Sequence, residues 1–220
     1  MYEWNFSWLA ENYDFLLSGL MVTILLAVAV VAAGLILGTI NALGTLSRHK
    51  IFRVLSISSI ELFRCTPVLV ALIWFYYALP ILIGVEISAL TAAFIALTLY
   101  GGSFYAEIIR GGIEGVDPGQ REAGEAIGLM HGDILRRIIL PQAVRKMIPP
   151  LVNQSVINLK NTSLVSVLAI PDLLYQGKLI ALETFRPLEV YTVVALFYFA
   201  LLFPLTMLVR HLESRNGVKH

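Results

Sequence analysis

Apolar positions do not alternate along this chain; they come in long unbroken runs. Residues 15–47, between Asp14 and Arg48, contain no Asp, Glu, Lys or Arg. About 20 apolar residues in a helix cross the roughly 30 Å hydrocarbon layer of a bilayer. This run is longer, so its helix is expected to tilt or to project beyond the bilayer. Residues 65–85 and 87–106 are two more charge-free runs, separated only by Glu86, and Pro80 and Gly84 mark a tight turn between them. Together they read as a helical hairpin. Residues 190–209 form a further plain span, with Pro204 as its expected kink. Residues 1–14 hold no Lys or Arg, and the run that follows is too long for a signal-peptide core, so no cleavable leader is expected.

Residues 151–170 are different. The segment is long enough to span, yet it carries Asn153, Gln154, Ser155, Asn158, Lys160, Asn161, Thr162, Ser163 and Ser166. Hydropathy alone fits a membrane span and a water-soluble helix equally well. Composition and charge narrow the choice. The 220 residues are 58% hydrophobic and 14% charged, where a soluble domain has about 25% charged residues. A soluble globule and a disordered chain are both excluded, and a net charge of +1 excludes a nucleic-acid binder. Cys65 is the only cysteine, so there is no internal disulfide, and no Cys/His pair has zinc-ligand spacing. The composition is that of an integral membrane protein.

Positive charge then sets the topology. Arg48, Lys50, Arg53 and Arg64 follow the first run, and none lies between the second and third. Arg110, Arg121, Arg136, Arg137, Arg145 and Lys146 follow the third, and Arg210, Arg215 and Lys219 close the chain. If residues 151–170 cross, thirteen of the sixteen positive charges share one face, and that face is cytoplasmic. With four spans the pattern breaks. The expectation is a single all-α transmembrane domain over residues 1–220, with the N-terminus periplasmic and the C-terminus cytoplasmic. Its five spans fall at about residues 15–46, 65–85, 87–106, 151–170 and 190–210, around a cytoplasmic loop at 107–149.

That loop is patterned. Asp117 is a good N-cap, Pro118 suits the first helical position, and Gln120 has capping-box spacing. The helix should run to Ile127 and stop at Gly128. Asp133 is expected to cap a second helix, with Ile134, Leu135, Ile138 and Ile139 on one face and Arg136 and Arg137 opposite. Pro141 should end or kink it. In the first helix Ala123, Gly124 and Ala126 let another surface come close, with Glu122 and Glu125 around them. That surface is either a docking partner or the membrane and the chain's own spans.

Here a family resemblance enters. Glu122-Ala-Gly-x-x-x-Gly128, nine further residues, then Ile138-x-Leu140-Pro141, resembles the cytoplasmic "EAA" loop of binding-protein-dependent ABC importers. Phe63-Arg-Cys-Thr-Pro67 with Trp74-Phe-Tyr-Tyr77 resembles the "FRGTP…WFYY" segment of the polar amino-acid permeases. The stretch from Gly102-Ser-Phe-Tyr-Ala-Glu to Ile113 and Leu159-Lys-Asn-Thr-Ser-Leu164 are similar to the same group. The likeness covers about residues 17–212. Departures are small: Gly124 is the third EAA residue rather than Ala, and Cys65 and Asn161 stand where Gly and Asp are common. The resemblance implies a permease subunit of a type I ABC importer in a bacterial inner membrane. It implies pairing with itself or a sister permease, two ATPase subunits inside that hold ATP and Mg, and a soluble binding protein in the periplasm. By the same resemblance Glu122, Ala123, Gly124 and Gly128 belong to the coupling helix. No Gly-x-x-x-x-Gly-Lys-Ser/Thr loop exists in the sequence, so the ATP chemistry is expected on another polypeptide and no catalytic residue on this one.

A lysine at the membrane midplane costs at least about 2.5–3.5 kcal/mol, so Lys160 needs a reason. Helical spacing puts Asn153, Lys160 and Ser163 on one stripe and Gln154, Asn158 and Asn161 on the next. So broad a polar face should meet a partner helix or a water-filled path. The competing reading is an ion pair with Glu61 or Glu107. If the path carries a polar amino acid, an ammonium suits an α-carboxylate and repels a cationic side chain. Neutral-to-acidic substrates such as glutamine, glutamate and aspartate are therefore expected, with Asn158, Asn161, Thr162 and Ser163 lining the way for amine or amide groups. Two rivals remain. One is a secondary transporter or channel using Lys160 for coupling or selectivity; the other is a membrane-embedded enzyme. The first lacks visible inverted repeats and the second a His in its spans. Gly34-x-x-x-Gly38 reads as a packing pair. Trp74, Tyr76 and Tyr77 read as an interfacial belt or a stacking cluster, and Trp4 and Trp8 as an arm on the outer interface. His49, His131, His211 and His220 read as solvated residues beside lipid headgroups.

Overall fold

The computed structural model describes residues 2–215; Lys219 and His220 lie outside them. Among the described residues every regular element is helical. Helix α1 is Trp8–Thr45, α2 is Lys50–Cys65 and α3 is Val68–Ile83. Next come α4, Ala89–Glu114, and α5, Pro118–Ala126. Helix α6 is His131–Leu168, α7 is Leu173–Thr184 and α8 is Pro187–Arg215. Helices α1, α4 and α8 are each long and apolar enough to cross a membrane, and α8 runs unbroken through Pro204. The pairs α2 with α3 and α6 with α7 reach that length only as bent units, with bends of 105° and 47°.

The frame is α1 against α4, and glycine makes it possible. A Cβ at Gly38 would sit 2.6 Å from Tyr105 Cβ and 2.8 Å from the Gly102 carbonyl oxygen, and one at Gly34 would be 3.2 Å from the Tyr105 ring. The expected packing pair is thus a backbone-close crossing. Along α1 the core lies at three levels. Trp8 and Leu16 pack with Leu173, Ile180 and Val190; Leu26 and Val30 with Leu72, Ala92, Ala96 and Val165; Ala42 with Ile60, Ala106, Ala143 and Met147.

Proline shapes two helices. Residues Trp74–Ala78 and Ile134–Ile139 are π-helical, and each segment is followed within two residues by a proline, Pro80 and Pro141. A proline ring clashes with the carbonyl four residues earlier, and the wider turn opens that contact. Pro80 therefore does not break the hairpin; Gly84, at φ +68°, ends α3. Pro141 likewise neither stops nor separates the loop helix from the span, and α6 continues through Pro149 and Pro150. At Thr66–Pro67 the opposite holds. The residue before proline is driven out of the helical region, Thr66 is extended, and the chain turns sharply from α2 into α3.

Several expectations change. Helix α2 occupies a stretch read as loop, and α4 continues to Glu114 into the 107–149 segment. Trp8 is not on an interfacial arm: it is the first residue of α1 and is buried. Trp4 stays exposed, stacked on Phe6. The arm is pinned by Glu189, whose fully buried carboxylate accepts from Tyr2 Oη, from the Asn5 amide at 3.2 Å and from Arg186 at 3.0 Å.

Candidate functional site

Two groups of residues carry the functional argument, and one helix joins them. The first is α5. Asp117 caps it, accepting from the Gly119 amide at 2.8 Å, and Pro118 starts it. Gly128, at φ +80°, ends it; the Leu129 amide donates back to the Gly124 carbonyl at 3.1 Å. Gln120 does not complete a capping box. Its Oε1 accepts from Gln142 Nε2 at 3.2 Å and straps α5 to α6. Asp133 does not cap α6 either: the helix starts at His131, and Asp133 pairs with Arg137 at 3.0 Å. Ile134 is buried as expected, whereas Leu135 is exposed.

Gly124 meets the chain's own helix α6. It is buried, and a Cβ there would stand 2.9 Å from Ile134 Cγ1 and 3.2 Å from Ile138 Cδ1. Its smallness serves the contact between α5 and α6, not an outside partner. The outward surface consists of Glu122, Ala123, Glu125, Ala126 and Gly128, extended by Ile127 at 75% and Met130 at 79% exposure. Those two apolar residues were not singled out from the sequence. Their position at a helix end next to a left-handed glycine was the available signal.

The second group is on α6. Beyond its π segment the helix is α-helical over Leu140–Asn161 and narrows to a 3₁₀ form over Thr162–Leu168. The two polar stripes part at Asn153 and Lys160 on one side and Gln154 and Asn158 on the other, and become alike at Ser163 and Asn161. Asn153 and Lys160 are exposed and Ser163 is half-buried, its hydroxyl donating to the Lys160 carbonyl at 2.8 Å. Gln154 and Asn158 are buried and bonded to each other at 3.2 Å. Asn158 Nδ2 lies where a Cβ on Gly101 would be only 2.5 Å away, and it has no hydrogen-bond acceptor among the described residues. Ser155 bonds the buried Tyr105 hydroxyl at 2.8 Å. Thr162 is fully buried, and its hydroxyl is spent on the Leu159 carbonyl at 2.7 Å. Asn161 is half-buried. The five pathway candidates therefore do not share one surface.

The ion-pair reading of Lys160 finds its acids occupied. Glu107 pairs with Arg64 at 3.2 Å and Arg110 at 2.8 Å, and Glu61 faces Arg64 at 3.8 Å. Among the described residues the Lys160 ammonium has no hydrogen-bond or ion-pair partner. Trp74 lines an apolar groove of about 590 Å³ with Leu62, Phe63, Val70 and Phe75, while Tyr77 is exposed.

The described residues thus form an all-helical chain with helices apolar enough for a membrane and a capped helix strapped to a polar one. The chain belongs to the family described as the binding-protein-dependent transport system inner membrane component, whose model matches residues 31–218. It is similar to the glutamine transport system permease protein GlnP of Escherichia coli K12, at 35% identity over 218 residues and 99% of both chains. It is also similar to the arginine transport system permease protein ArtQ of Bacillus subtilis 168, at 31% identity over 96% of both. Among solved structures, the crystal structure of an amino acid ABC transporter with histidines matches with a TM-score of 0.91 and 34% identity, over 97% of this chain and 100% of that one. This is therefore an inner-membrane permease subunit of a binding-protein-dependent transport system, similar along nearly its whole length to permeases of amino-acid ABC transporters.

Proposed function

We propose that the chain crosses the membrane five times, with its N-terminus outside, and forms the translocation path for polar, neutral-to-acidic L-amino acids. The spans that α1, α4 and α8 leave missing come from the bent pairs: α3 in the first, with α2 turned away from it at 105°, and α6 in the second. The outward residues Glu122, Ala123, Glu125 and Ala126 of α5, with Ile127, Gly128 and Met130 just beyond it, dock in a cytoplasmic ATPase subunit that holds ATP and Mg, a periplasmic binding protein delivers substrate, and a second permease subunit closes the path. The observation that carries this reading is mechanical. Gly124 packs α5 directly on Ile134 and Ile138, Lys146 Nζ grips the Gly115 carbonyl at 2.7 Å, and the same helix continues to Asn153, Ile157 and Lys160. A push on α5 is delivered to the polar span as a rigid-body movement of α6.

On substrate, the supporting argument is chemical. Lys160 is exposed on one protomer, and a second permease subunit facing it encloses an ammonium that has no acid beside it among this chain's described residues. A substrate carboxylate completes that pair, with a charge-assisted hydrogen bond of about 1.5–3 kcal/mol. A cationic side chain is repelled. The test is uptake of labelled glutamine, glutamate and arginine by the complex in proteoliposomes, for the parent and Lys160→Met. The expected order is glutamine or glutamate before arginine, with uptake falling at least tenfold in Lys160→Met while the complex assembles normally. A parent that prefers arginine, or a variant with parental rates, overturns the substrate argument.

A further inference from the structure

Helix α2 has no task in this account, and it is three-sided. At 100° per residue, Ile51, Val54, Leu55 and Leu62 fall on one side, each more than half exposed. Lys50, Arg53, Glu61 and Arg64 fall on the next, together with Ile57. Ser56, Ile60 and Phe63 turn inward: Ile60 is buried with Ala42 and Ala106, Phe63 touches the Phe75 ring, and Ser56 abuts Gly44 at the end of α1. One side holds the protein, one is apolar and bare, one is charged. The axis completes the picture. Because α2 leaves α3 at 105°, a spanning α3 puts α2 close to the plane of the bilayer, at the level where Arg64 meets Glu107.

The charge is one-signed where the apolar side is widest. From Arg48 to Ile60 the chain carries Arg48, Lys50 and Arg53 and no acid. All three are exposed, and none has an ion pair among the described residues. His49 stands between them, edge-on to Phe52. A helix with one bare apolar side and an adjoining basic side settles at a membrane surface, and anionic leaflets favour it by about 1 kcal/mol per Lys or Arg. A protein partner fitting the apolar side would leave the three cations beside it uncompensated, whereas a phospholipid supplies both halves. We infer that α2 is an interfacial helix that binds anionic phospholipid headgroups of the cytoplasmic leaflet through Arg48, Lys50 and Arg53, with Ile51, Val54 and Leu55 set among the acyl chains. The inference rests on the orientation proposed above.

The experiment uses the permease with its ATPase in nanodiscs of phosphatidylcholine containing increasing phosphatidylglycerol, with bound lipid counted by mass spectrometry after mild extraction. Arg48→Gln with Lys50→Gln and Arg53→Gln should raise the phosphatidylglycerol fraction needed for half-occupancy by about tenfold or more. Arg48→Lys with Arg53→Lys, which keeps the charge, should leave it near the parent value. A photo-crosslinker at Leu55 should give phospholipid adducts. Equal occupancy in the Gln variant, or Leu55 adducts to a permease or ATPase subunit, overturns the inference. Orientation is read separately: with Cys65→Ser, Lys50→Cys should react with an impermeant thiol reagent only from the cytoplasmic side. Reaction from outside defeats the orientation, whatever the lipid count shows.

Discussion

At Gly38 a missing methyl group decides how two helices meet. Any Cβ there collides with Tyr105 and with the backbone oxygen of Gly102, so the cost is a displaced backbone and not a rotated side chain. Gly38→Leu is expected to destabilise the permease by about 1–3 kcal/mol or more, read as a lowered thermal midpoint of the detergent-solubilised complex. An unchanged midpoint contradicts the close crossing. Such a pair is legible in sequence, since a four-residue spacing of glycines has few other uses in an apolar helix. Asn158 was not legible in the same way. Two stripes one residue apart differ by only 100° on a helix, and nothing in the chain said which faced Gly101 and which faced outward. Lys160 turned outward because Gln154 and Asn158 turned in to bond each other.

Helix α5 illustrates what local chemistry can and cannot announce. Asp117-Pro118 and Gly128 fix its ends, because a cap, a proline and a left-handed glycine act within one turn. Its facing direction depends on α6, ten residues away, so local chemistry left open whether Gly124 meets the chain's own helices or an outside partner. Two substitutions separate the surfaces. Ala123→Trp, on the outward side, should leave the isolated permease as stable as the parent while abolishing substrate-stimulated ATP hydrolysis in the complex. Gly124→Trp should instead displace Ile134 and Ile138 and cost about 1–3 kcal/mol in the permease alone. Full stimulation with Ala123→Trp moves the contact off this helix. Other elements gave weaker signals. Helix α2 was hidden by its cations, and the π turns before Pro80 and Pro141 are relief that proline demands but does not spell out.

For the molecule as a whole, the five apolar or polar segments were visible as runs, but their bending was not. The bends come from Pro67 and from the break at Ala169–Asp172, where Asp172 caps α7 and the Leu173 amide donates to Thr23 of α1. The orientation proposed above rests on the positive charges. In a Cys65→Ser background, cysteines at Glu3, Glu86 and Glu183 should react with an impermeant thiol reagent in intact cells, and those at Lys50 and Asp133 should not. Reaction at Asp133 contradicts both the topology and a cytoplasmic α5. Orientation, docking and path converge on one claim: substrate moves through this chain while ATP is hydrolysed on another. The direct measurement is uptake of labelled glutamine into proteoliposomes holding the permease and its ATPase, with binding protein outside and either ATP inside or an ion gradient alone. The account predicts uptake that requires ATP and the binding protein, ignores the gradient and disappears in Ala123→Trp. Uptake driven by the gradient without ATP would contradict it and return Lys160 to the role of an ion-coupling residue in a secondary transporter.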